Sequence, residues 1–155
     1  MADARRFNLE LDQFARTVGV EAAQFARTVA AEVFTTIVQA TPVGNNTRWA
    51  VNLKRATKGL PPVPPGYVGG QARRNWRISI GSPSSTVLSG TDPSGQSAMT
   101  DGFGVLAQYR DLLPIWISNP LPYMDPLENG WSKQAPTGMV ANAVAAVSAK
   151  YRRVS

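Results

Sequence analysis

Ten carboxylates, no cysteine and no histidine are what this sequence offers for covalent or acid–base chemistry. Without thiols or imidazole there can be no disulfides, thiolate nucleophiles, zinc-finger spacings or histidine-based proton relays. The carboxylates, Asp3, Glu10, Asp12, Glu21, Glu32, Asp92, Asp101, Asp111, Asp125 and Glu128, are scattered, and none forms a D-x-D or E-x-x-E pair. Glu10 and Asp12 come closest. Residues two apart on a helix do not face each other, so these two read as favourable charge near a helix N-terminus. The expectation is a non-enzymatic protein with no cofactor and no metal.

Charge and shape are more informative. The chain carries a net charge of +6 with a pI near 10.2, which favours partners of negative potential. Four cations, Arg48, Lys54, Arg55 and Lys58, share the segment 45–71 with Trp49 and Tyr67, and Arg73, Arg74 and Arg77 follow closely. These side chains could meet phosphates. They could equally face an acidic neighbour or solvate a projecting loop. The other dense stretch runs from Trp116 to Val140. Prolines at 120, 122, 126 and 136 frame Tyr123 and Trp131, with the polar run Ser132, Lys133 and Gln134 after them. Fixed-φ residues beside large aromatics describe a shaped surface. Tyr123 and Trp131 could pack a short helix onto a sheet or belong to that surface, and Ser132 to Gln134 read as subunit contacts.

The elements that must position these residues follow from periodicity. The spacing predicts a helix over 8–40, with Phe14, Val18, Ala22, Phe25, Val29, Val33 and Ile37 on one stripe, Asn8 or Asp12 as its cap, and Gly19 as a break. Gln13-Phe-Ala-Arg-Thr-Val18 recurs eleven residues later as Gln24-Phe-Ala-Arg-Thr-Val29, about three turns on, so both copies face the same way. Segment 45–71 reads as a long loop containing a stiff polyproline-like spacer, Leu60-Pro-Pro-Val-Pro-Pro-Gly66. Alternation of Trp76, Ile78 and Ile80 marks a strand over 72–81, and 113–118 is a second strand. Between them, 82–96 is a connection with Val87-Leu88 as a short strand, and 97–111 is a helix with Phe103, Leu106 and Ala107 inward. A short helix over 123–129 stops at Gly130, and a last amphipathic helix covers 139–153 with Val140, Val144, Val147 and Tyr151 on one side.

At 155 residues this is one domain, 1–155, with 46–71 as an inserted Pro/Gly-rich basic loop. No apolar run reaches the roughly 18 to 20 residues of a membrane helix. The N-terminus does not read as a signal peptide, so no membrane partner and a cytoplasmic site of synthesis are expected.

Three motifs stand in order: a long helix running into Thr41-Pro42-Val43; Ala72-Arg73, Asn75-Trp76, Ser79 and Gly81; and Ile117-Ser118-Asn119, Leu121-Pro122-Tyr123, Leu127-Glu128, Gly130-Trp-Ser-Lys-Gln-Ala-Pro136 and Gly138-Met-Val140. Together they resemble the minor tail protein Z-like family of neck and tail-completion proteins of tailed bacteriophages. Family members often continue Thr-Pro-Val with Asp-Thr-Gly-Arg and run almost directly into the Arg-x-Asn-Trp strand. Here Gly44 stands in place of the aspartate, and a long insert separates Arg48 from Ala72.

The resemblance implies an α+β domain, with a long N-terminal helix and a C-terminal helix packed on a small antiparallel sheet. It also implies a homo-oligomeric ring, most often a hexamer, in the virion neck. Such a ring is assembled in the host cytoplasm and joins the tail tube or tail terminator proteins to the head connector or stopper. Transient, non-specific contact with genomic DNA in the channel would then fall to Arg48, Lys54, Arg55, Lys58, Arg73, Arg74 and Arg77. Partner contacts would fall to Trp49, Tyr67, Tyr123, Trp131, Ser132, Lys133 and Gln134. The residues also allow an alternative, a basic nucleic-acid-binding module built on Trp49 and the same cations.

Overall fold

The computed structural model describes residues 2–152, with side chains described from Gln13 onward except at positions 14 and 15. The side chains of Asn8, Glu10, Asp12 and Phe14, and all of Arg153, lie outside the described residues. The elements are α1 (Ala2–Ala40), a 3-10 turn (Asn46–Arg48), α2 (Ala50–Ala56), α3 (Gln71–Arg74), β1 (Arg77–Ile80), α4 (Gln96–Ala107), β2 (Ile115–Ser118), α5 (Met124–Glu128) and α6 (Val140–Arg152). The fold is α+β. Its sheet is one antiparallel pair, with Arg77 opposite Ser118 and Ile80 opposite Ile115.

α1 begins at Ala2, so positions 8 and 12 are inside the helix rather than at its cap, and it runs unbroken through Gly19. Its 39 residues span about 58 Å at 1.5 Å per residue. The stripe read from the sequence is only partly the buried one. Steps of four residues each advance about 40° beyond a full turn, so Val18 and Ile37 sit about 100° apart around the axis. The buried face is Ala23, Phe34, Ile37 and Val38, while Val18, Val20 and Phe25 are exposed. Phe25 meets Tyr151 of α6 edge-on, with ring centroids 5.3 Å apart.

One core joins helices and sheet. Phe34, Ile37 and Val38 of α1 meet Trp76 and Ile78, Ala98 and Leu106 of α4, Leu121 and Met124 around α5, and Met139 and Ala143 at α6. α1 packs against α4 and α6, and α4 packs against β1. Within α4 the inward residues are Ala98, Gly102 and Leu106, whereas Phe103 and Ala107 point outward. The reason is Gly102: a β-carbon there would run into the ring of Phe34, so the two helices meet at the glycine. In α6 the buried residues are Ala143 and Val147, and Val144 is exposed.

Two further expectations need correcting. The first strand is shorter than 72–81, because Gln71–Arg74 forms a helical turn before it. That turn is held by Arg73, whose guanidinium donates to the carbonyls of Gln39, Thr41 and Pro93 at 2.6–2.9 Å. Val87-Leu88 is not a strand. The Asn75 side chain instead supplies what a strand partner would, accepting from Leu88 N at 2.7 Å and donating to Leu88 O at 3.1 Å.

The end of α1 is closed by a buried relay. Trp76 Nε1 donates to Thr41 Oγ1 at 2.7 Å, and Thr41 Oγ1 donates to Ile37 O at 2.7 Å. Thr41 is fully buried and Trp76 nearly so. Replacing Thr41 by Val keeps the shape but strands the indole N–H without an acceptor, which costs about 1 to 3 kcal/mol. Thr41→Val should therefore lower unfolding free energy by that amount in chemical denaturation, and an unchanged midpoint would contradict this role.

Candidate functional site

The segment 45–71 is an ordered insert rather than an open loop. Its two ends meet at Gly44 and Gly69, where a β-carbon on Gly69 would overlap the Gly44 carbonyl, and one on Gly44 would overlap the Tyr67 hydroxyl. Asn52, buried on α2, is its hub. Its amide donates to the carbonyls of Asn46 and Val63 and accepts from Val63 N at 2.8 Å. The proline-rich stretch is consequently bent at 63–64 and turned at 65–66, not a straight spacer. The reversal brings Tyr67 back against Trp49, with ring centroids 5.3 Å apart and planes inclined at 51°.

These two rings form one wall of a cleft of about 620 Å³. Tyr123 just before α5, Leu127 of α5 and the loop 131–134 form another wall, and the floor is the exit of α1 and the start of α3. Gln134 ties wall to floor, donating to Val43 O at 2.9 Å and accepting from Val43 N at 3.3 Å. Tyr123 OH donates to Gln71 Oε1 at 2.9 Å. Burial raises the Tyr123 phenol above its ordinary value, and the Tyr67 phenol adds to the rise. Trp131 is 80% exposed at the rim. Trp49, Tyr67, Tyr123, Trp131, Ser132, Lys133 and Gln134, all expected at a contact surface, thus line a single cleft, together with Arg48. No carboxylate lines it.

The cations divide. Arg73 is the helix-end clamp described above, and Arg74 is paired with Asp101 at 2.9 Å. These two are turned to the protein's own carbonyls and carboxylate. Arg55 donates to Pro61 O at 2.8 Å, and Arg77 reaches Thr86 O at 3.5 Å. Arg48, Lys54 and Lys58 are exposed on the insert. Residues 33–91 contain seven cations and no carboxylate, which leaves nine cations against ten carboxylates elsewhere. The excess positive charge therefore lies in the insert and the segments flanking it.

Three carboxylates hold helices in place. Asp92 caps α4, accepting from Ala98 N and from the Ser94 hydroxyl, each at 3.0 Å. Glu128 caps α6 from a distance in sequence: Oε2 accepts from Met139 N and Val140 N, and Oε1 from Ala141 N, at 2.8–3.0 Å. Burial alone would raise both carboxyls. The amide donors outweigh it and hold each below its ordinary value. Glu32 accepts from Lys150 and Tyr151, joining α1 to the end of α6. Among the described residues no cluster of three or more potential metal ligands exists, and no helix is long and apolar enough to cross a membrane.

Sequence reasoning missed Asn52, Glu128 as a cap, and Gln71 as the Tyr123 partner. Caps are sought next to a helix start, and Glu128 lies 11 to 13 residues before the amides it holds. The adjacency of Gly130, at φ 84°, was the one available hint that the chain turns back there. No family model, curated protein or solved structure matches the chain. What the cleft can do follows from its chemistry: aromatic walls, amide edges and two cations suit a partner surface that is apolar with a negative charge.

Because the Glu128 carboxyl is depressed from 4.5 in the folded state, its contribution is present at neutral pH and is lost as pH falls through the folded value. Glu128→Gln should cost about 1 kcal/mol at pH 7. That deficit against the parent protein should shrink as pH falls below the ordinary value of 4.5 and through the lower folded value, in denaturation curves taken along a pH series. A deficit independent of pH would contradict the capping role.

Proposed function

We propose that the protein is a structural, non-enzymatic component of a tailed-phage neck. In this reading it forms a homo-oligomeric ring that completes the tail and joins it to the head connector around the DNA channel. One observation carries the reading: the aromatic, proline-framed and polar residues of the motifs converge on a single exposed cleft whose frame is tied by hydrogen bonds and whose lining includes no carboxylate. A further feature supports it. α1 leaves Val18 and Val20 exposed and Phe25 largely so, apolar surface that suits a subunit contact.

Closed rings use heterologous contacts, one face of each subunit on a different face of the next. The cleft is one such face. Arg48, Lys54 and Lys58 on the insert would give a passing genome a salt-screened, sequence-blind attraction, weak enough to permit ejection. The concentration of positive charge in residues 33–91 favours a second reading, a nucleic-acid-binding module. Its aromatics are already engaged with each other and with Gln71, which weakens it.

The test is the mass in solution together with the location of the protein. The neck reading expects a discrete multiple of 16.7 kDa by light scattering, and the protein in purified virions by mass spectrometry. A strict monomer that is absent from virions and retains DNA at physiological salt would favour the second reading and overturn the first.

A further inference from the structure

The end of the sheet away from the cleft carries a feature that the fold does not require. Leu112 has φ 53°, the left-handed region that L side chains rarely adopt, and is 51% exposed. Leu113 beside it is 49% exposed, and Asp111 before it is exposed. The turn is pinned from behind. Tyr109 OH donates to Leu113 O at 2.9 Å, and Gly81 N donates to Pro114 O at 2.8 Å. Arg110, itself exposed, donates to the carbonyls of Ala107 and Tyr109, which engages its guanidinium with the backbone behind the turn, and Asp111 is exposed beside it. Strained backbone that holds apolar side chains in water marks a surface selected for contact.

The strand register sets this knob and the cleft at opposite ends of the sheet. From the Arg77–Ser118 end of the sheet, Asn119 donates to Ala72 O and Tyr123 to Gln71, leading into the cleft. From the Ile80–Ile115 end, Gly81 and Pro114 lead to Leu113. The charges are complementary: Arg48 and Lys133 line the cleft with no carboxylate among them, and Asp111 makes no ion pair among the described residues.

We propose that the Asp111-Leu112-Leu113 knob of one copy seats in the aromatic cleft of a second copy, with Asp111 meeting Arg48 and Lys133. The contact is head-to-tail, so every subunit offers both a knob and a cleft, and repetition closes a ring when the rotation allows. The inference rests on the ring reading above and names the contact that builds it.

The chain has no cysteine, so cross-linking tests it without background. Leu112→Cys and Ser132→Cys are prepared separately, mixed, and treated with a short bismaleimide. The mixture should yield a 112–132 dimer, while each variant alone stays uncross-linked. A chain carrying both substitutions should give a ladder ending at the ring. Cross-linking of Leu112→Cys to itself, or oligomers by light scattering with no 112–132 product, would overturn the knob-in-cleft contact and leave the neck reading standing. A 112–132 product from a protein absent from virions would keep the contact and remove the neck reading. A protein monomeric at every concentration would overturn both.

Leu112→Gly separates assembly from folding. Glycine suits the left-handed φ, so the melting temperature should hold or rise, while the dissociation constant of the oligomer should weaken by about tenfold or more. Asp111→Lys should weaken it similarly, and adding Lys133→Glu should recover part of the loss. Unchanged assembly in Leu112→Gly would contradict the proposal.

Discussion

The structure depends on how the long helix ends. A helix leaves its last carbonyls without partners, and burying them unpaired is costly. Here the C-terminal carbonyls of α1 are met from three directions: by the Thr41 hydroxyl, by a backbone amide of the exit turn, and by the Arg73 guanidinium reaching across from α3. Trp76 closes the arrangement by donating to the same threonine. That one junction fixes α1 relative to β1 and the start of α4, because Arg73 also binds Pro93 O. It also fixes the floor of the cleft, since Pro42, Val43 and Gly44 leave directly from it. An insert anchored anywhere less constrained would not return Tyr67 to Trp49 in a defined geometry.

The same logic explains why the few carboxylates are where they are. Asp92 and Glu128 hold the N-termini of α4 and α6, and Glu32 ties α1 to α6. Each satisfies donors that folding would otherwise orphan. The chain uses acidic groups to place helices, and its excess of cations is left on and around the insert. A cleft bordered by that charge, walled by aromatic rings and framed by prolines is suited to receiving another protein surface.

Much of the fold was legible because burial imposes a period. The strands around Ile78 and Ile117, the helix after Met139 and the helical course of α1 up to Ala40 follow from apolar spacing, although α1 also covers the residues before Asn8 and runs through Gly19 without the expected break. The orientation of α1 was harder to read, since a run of fours drifts around the helix and the stripe that looks continuous in sequence is not one face. Phe103 and Gly102 exchange expected roles for a steric reason that no periodicity reports: Phe34 needs the space of a missing β-carbon. The insert was opaque for a different reason. Asn52 organises it through carbonyls 6 and 11 residues away, contacts that exist only once the chain has folded back. Charge told of cations but not of their direction, so Arg73 and Arg74 looked like Arg48 until their partners were seen. The cleft residues themselves could be picked out one by one, from aromatics beside fixed-φ positions, but their meeting in one place could not.

In the proposed neck role, this chain acts as a repeated unit around a DNA channel. An electron-microscopy reconstruction of the intact neck of a particle containing it tests that most directly. The neck role predicts a closed ring of identical copies, with neighbouring subunits meeting at the cleft formed by Trp49, Tyr67, Tyr123 and Trp131 and the exposed insert cations nearest the channel. A neck lacking this density, or a ring whose subunits leave that cleft open to solvent, would contradict it.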